Sequence, residues 1–85
     1  MAALRYTQRY FRSAHHLSES ERHALARTLR AMEDADVFPG EGDAQTLLPP
    51  SQPVWRRRVG DSDRYLYFVV ADDGAAVVVA VGGLL

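Results

Sequence analysis

Cysteine is absent from this 85-residue chain, so no disulfide can brace it and no zinc-thiolate site can form. That absence is consistent with a reducing compartment. Lysine is absent as well, and all ten basic residues are arginine. GC-rich coding produces the same bias, so the missing lysines carry no argument for guanidinium chemistry by themselves. No apolar run is long enough to span a bilayer; the longest, residues 74–85, is rich in valine and reads as a buried strand. The first twelve residues mix charged with apolar side chains and hold no signal-peptide core. The expectation is a soluble, cytoplasmic protein without a membrane partner. A basic excess is missing too: ten basic against eleven acidic residues leave a net charge of −1. Indiscriminate nucleic-acid binding is thereby disfavoured, and any polyanion site must be a local patch.

What is present is enough for one small domain, residues 1–85, with 47% hydrophobic and 25% charged residues. A chain this short must pattern its core well or share it with a partner. Residues 3–6 can form a first strand. Thr7 can then cap a helix whose apolar positions Tyr10, Phe11, Ala14 and Leu17 recur at helical spacing. Ser18-Glu19-Ser20-Glu21 fits a capping box that opens a second helix, with Leu25, Leu29 and Met32 as its buried stripe. Residues 37–53, with Gly40, Gly42, Pro49-Pro50 and Pro53, read as a loop with a turn near 46–48. From there the pattern changes to strands over 54–59, 64–71 and 75–81, joined by turns at 61–63 and 72–74. The last of these is apolar on both faces, which argues for an interior place in the sheet. The order is β-α-α-β-β-β. It predicts an α+β fold, a two-helix hairpin on a four-stranded, mainly antiparallel sheet.

The chemistry is concentrated at Arg56-Arg57-Arg58 and Arg64, four of the ten basic residues within nine positions. Residues two apart on a strand share a face, so Arg56 and Arg58 point together while Arg57 points away with Trp55 and Val59. Cations fixed in a sheet can meet a phosphate or carboxylate at defined spacing. The alternative for the pair is a solvated face bridged to Asp61, Asp63 or the loop acids. Arg57 is expected to pack by its stem against a helix or to pair with Glu33 or Asp34. For Arg64 the rival to a functional role is a cross-strand ion pair.

Val54-Trp55-Arg56-Arg57-Arg58-Val59-Gly60-Asp61, followed by Arg64-Tyr65-Leu66-Tyr67, resembles the RelE/ParE superfamily of bacterial toxins. So do the element order, a leucine near the loop's end (Leu47 or Leu48), the acidic turn Asp72-Asp73-Gly74, and Val81-Gly82. The resemblance implies the toxin of a type II toxin–antitoxin pair, neutralised by a small cognate antitoxin and needing neither cofactor nor metal. RelE-like members cleave ribosome-bound mRNA by promoting attack of a ribose 2′-hydroxyl on the next phosphate. ParE-like members share the fold and inhibit DNA gyrase. Carried over, Arg56 and Arg58 match the alternating basic pair and Arg64 the arginine opening the next strand. The implied assignment is Arg56, Arg58 and Arg64 for holding RNA, with Arg58 and Arg64 catalytic. After Gly82 the family's second basic group and its tyrosine have no counterpart. The expected set therefore lacks a general acid or base, and Asp61 and Asp63 beside Arg64 would partly neutralise a phosphate site. A ParE-like gyrase inhibitor, or a catalytically degenerate member acting only by protein binding, is the alternative.

The remaining candidates read as structural. His15, His16 and His23 are spaced poorly for a helical metal pair, which needs three or four. His23 is expected to be exposed, and the His15-His16 pair to meet the carbonyls that end the first helix. Tyr67 and Trp55 read as core residues.

Overall fold

The computed structural model describes residues 3–45 and 53–84. Their element order is β1 (Leu4–Tyr6), α1 (Gln8–Ala14), α2 (Glu19–Glu33), β2 (Ala44–Gln45), β3 (Trp55–Arg58), β4 (Tyr65–Val70) and β5 (Ala76–Gly82). The fold is α+β, as the patterning requires. The sheet has five strands rather than four, in the order β1-β5-β4-β3-β2. The additional strand, β2, is two residues pairing antiparallel with Trp55 and Arg56 inside the segment read as loop. The turn near 46–48, Pro49-Pro50 and the Leu47/Leu48 match lie outside the described residues.

Pairing is mixed: β1 runs parallel to β5, and every other neighbour is antiparallel. The two helices carry the chain from β1 across the sheet to β2 at the opposite edge, and successive antiparallel steps through β3 and β4 bring it back as β5 beside β1. β5 lies between β1 and β4, as its two apolar faces foretold. Its register carries a one-residue bulge. Tyr67 opposes Ala80 and Phe68 opposes Val78, so Val79 has no partner of its own.

Local chemistry fixes the helix starts. The Thr7 hydroxyl accepts from the Tyr10 amide and donates to the Val78 and Val79 carbonyls at 3.2 Å, so one side chain caps α1 and stitches it to β5. Ser13 repeats the device, its hydroxyl donating to the Tyr10 carbonyl and accepting from the Val81 amide. At α2 the capping box forms in full.

Tyr10, Leu17, Ala24, Leu25 and Met32 from the helical half meet Val59, Leu66, Phe68, Ala76, Val78 and Val81 on one face of the sheet. Met32, Val59, Leu66, Phe68 and Val78 are fully buried, each contributing roughly 1.5–3 kcal/mol of transfer free energy. Leu29 is half-buried against this cluster, while Phe38, from the loop, is buried edge-on to Phe68. Both helices lie on this face; the other carries none among the described residues.

Candidate anion and nucleic-acid interface

Strand register decides where each arginine points. Across β3 and β4, Trp55 opposes Phe68 and Arg57 opposes Leu66, both buried against the helices. Arg56 opposes Tyr67 and Arg58 opposes Tyr65, on the face without helices. The split of Arg57 from its neighbours is therefore as strand alternation predicts.

Arg57 finds neither Glu33 nor Asp34. Its Nε and Nη2 form a two-pronged contact with the Asp43 carboxylate, at 2.6 and 2.8 Å. Asp43 also accepts from the Gly40 amide, and its side chain is fully buried. The bond closes the loop before β2 onto the sheet edge, with the planar fork matching the carboxylate.

Arg64 opposes Val59, whose amide donates to the Arg64 carbonyl at 2.9 Å. It therefore shares Val59's face, the helix face, and its Nε donates to Glu21 at 2.9 Å. Glu21 closes the α2 capping box by accepting from the Ser18 amide at 2.8 Å. The carboxyl is held down to about 2, first by the Ser18 amide, then by the Arg64 guanidinium and the Ser18 hydroxyl. Gly60 makes this docking of the turn on α2 possible. Its φ is +57°, and a Cβ there would lie 3.2 Å from that of Ala24. The ion pair of Arg64 runs to a helix rather than across strands. The three arginines expected to form one site thus leave the sheet on two faces.

On the open face Arg58 reaches over the turn, its Nε donating to the Ser62 carbonyl at 2.8 Å and Nη2 to that of Asp61 at 3.4 Å. Asp63 approaches it only at 4.0 Å, and both side chains are largely exposed. Arg56 lays its guanidinium over the Tyr65 ring, 5.6 Å from the centroid. Tyr67 is buried, as read from the sequence, and its phenol donates to the Gly83 carbonyl at 2.8 Å. Arg58, Tyr65 and Gly82 form one row across β3, β4 and β5. Two half-engaged guanidiniums on a strand, with an aromatic ring between them and the next strand, can hold a phosphate and stack a planar group.

No protein-family model matches this chain, and a search of curated proteins finds no significant match.

The other polar candidates behave as structural residues. His23 is exposed. The His15 carbonyl at the end of α1 accepts from Arg22 at 3.3 Å, so an arginine of α2 performs a task expected of a histidine. Among the described residues no three metal-ligating side chains come together, and no helix is long and apolar enough to cross a membrane. Sequence reading missed Asp43 and Glu21 as partners and Tyr65 as a site residue. The capping-box acid was visible; its bond to an arginine 43 positions away was not.

Proposed function

We propose that this chain is the toxin component of a type II toxin–antitoxin pair, RelE-like in arrangement, whose open sheet face engages ribosome-bound mRNA. The observation that supports this reading is the grouping of Arg56, Arg58 and Tyr65 on a face that carries no helix among the described residues. Cleavage by the 2′-hydroxyl route builds negative charge on a phosphate, and fixed guanidiniums stabilise that charge. Arg58, exposed on this face, takes that role. Arg64 can join it only by leaving Glu21. A cognate antitoxin is the implied protein partner, and the cytoplasm the implied site of action.

A specific observation favours a second reading. With Arg64 engaged by Glu21 on the opposite face, the chain is a ParE-like or catalytically silent member that acts by protein binding, on gyrase or an antitoxin alone.

Inducible expression with primer-extension mapping of mRNA ends separates the two. Growth arrest with new ends inside codons supports mRNA cleavage. Arrest with intact mRNA and damaged DNA supports gyrase inhibition; no arrest at all overturns both toxin readings and leaves only the silent, antitoxin-binding form. Under the first reading a folded Arg64→Ala protein loses toxicity, and under the second it keeps it.

A further inference from the structure

Helices α1 and α2 leave an open groove between them. It measures about 310 Å³ and is lined by Tyr10, Phe11, Ala14, His15, Arg22 and Leu25. Its aromatic lip faces solvent. Phe11 is 56% exposed and Tyr6 37%, and each ring lies 5.2 Å from that of Tyr10. Large apolar side chains left together in water mark an interaction surface.

The other lip is a stripe of α2. Arg22, Ala26, Leu29 and Glu33 are spaced four, three and four residues apart, and so share one side of the helix. Arg22, Ala26 and Glu33 are exposed and Leu29 is half-buried. Among the described residues neither Arg22 nor Glu33 forms an ion pair. Arg22 meets the His15 carbonyl at one end of the groove. Glu33 marks the other end, near Tyr6, whose phenol is pushed up first by burial and then by the Glu33 charge. This stripe complements its own reverse. Turned end for end, the order Arg, Ala, Leu, Glu becomes Glu, Leu, Ala, Arg. Cation then meets acid at both ends, and the small side chain meets the large one twice.

We infer that the groove seats a second copy of this chain: two molecules pair about a two-fold axis passing between Ala26 and Leu29, their α2 helices antiparallel. Arg22 then faces the partner's Glu33, and Ala26 faces the partner's Leu29. Each α2 lies along the other molecule's α1–α2 groove and covers Phe11 and Tyr6, so the four helices form one layer. Ala26 lets the helix axes approach closely, and Leu29 fills the space that the partner's Ala26 leaves. A parallel copy would set Arg22 against Arg22 and Glu33 against Glu33, so charge selects the antiparallel arrangement. Sharing apolar surface suits a chain too short to bury much of its own. Pairing here is independent of what the arginines of β3 do, because Arg56 and Arg58 lie on the sheet face opposite the helices.

Sedimentation equilibrium of the whole chain, across the micromolar range, tests the pairing. Wild type should pass from monomer to dimer with a dissociation constant on the order of 10 μM, the strength of a small interface. Ala26→Glu changes an exposed helix position, so the fold should survive it. It sets a charge against the partner's Leu29 and should weaken pairing roughly tenfold or more. Arg22→Glu and Glu33→Arg each bring like charges together across the axis and should each weaken pairing about tenfold. Mixed in equal amounts, these two variants should recover close to wild-type association as a heterodimer, since each altered end then meets its opposite.

A chain that stays monomeric at every concentration overturns the inference. So does a dimer that folded Ala26→Glu leaves at wild-type strength, or a mixture of the two charge variants no more associated than either alone. Where a charge variant fails to fold, the response of Ala26→Glu decides.

Discussion

Among the four clustered arginines, the two faces of the sheet treat the same residue type in opposite ways. On the helix face, Arg57 and Arg64 end on carboxylates, Asp43 and Glu21, and each joins a loop or turn to another element. On the other face, Arg56 ends on a ring and Arg58 on carbonyls, with Asp63 meeting Arg58 only at 4.0 Å in solvent, so their charge is weakly compensated. Guanidinium number and spacing along the chain are therefore poor guides to function. What separates a brace from a binding group is whether the partner neutralises it. Among the four clustered arginines, neutralisation follows the strand face.

The largest break in this comparison comes from the helix face. Asp43→Ala leaves Arg57 half-buried without its partner and frees the loop amide at Gly40. Such a change costs about 3 kcal/mol, read as a fall in the denaturant midpoint at unchanged slope. Arg58→Ala on the open face should shift the same midpoint by no more than about 0.5 kcal/mol, since its charge contacts are exposed. An Arg58→Ala loss comparable to that of Asp43→Ala would erase the distinction between the faces.

A smaller effect is set by acid. Glu21 has a folded value of about 2 against an ordinary 4.5. A depressed carboxyl stabilises the folded state above its unfolded value, and that contribution is lost as pH falls from 4.5 through 2. Asp73, lowered first by the Ala75 amide and then by Arg5, acts in the same direction. Urea unfolding at pH 7 and near pH 3 should show stability falling with acid, and Glu21→Gln should flatten part of that slope. An unchanged slope in Glu21→Gln would mean that the helix-face bond does not couple to folding. Arg64→Ala, whose guanidinium is partly exposed, should shift the midpoint by up to about 1 kcal/mol, between the effects of Asp43→Ala and Arg58→Ala.

Much of the architecture was legible because it is written in short-range chemistry. Thr7, Ser18 and Glu21 announce the helix starts, and alternation over 54–81 announces the strands and separates Arg57 from its neighbours. What could not be read depends on distant pairing. Two-residue β2 carries no periodicity, and its existence depends on docking to Trp55 and Arg56. Arg64's face follows from its pairing with Val59, and its partner lies on a helix whose distance from the turn no local pattern encodes. The site was half legible for the same reason. Arg56 and Arg58 were paired from sequence, while Tyr65 joins them only through cross-strand register.

The parallel pairing of β1 with β5 bears on how the protein comes into being. Leu4 pairs with Ala76 and the Thr7 hydroxyl with the Val78 carbonyl, so the earliest described strand waits for the latest. While the chain is being synthesised, β1 and α1 have no sheet to dock on until β5 has left the ribosome. The surfaces of the sheet assemble together at that late moment. A nascent chain stopped before residue 76 presents the arginine run without β5 beside β4 and without the α1 stitching.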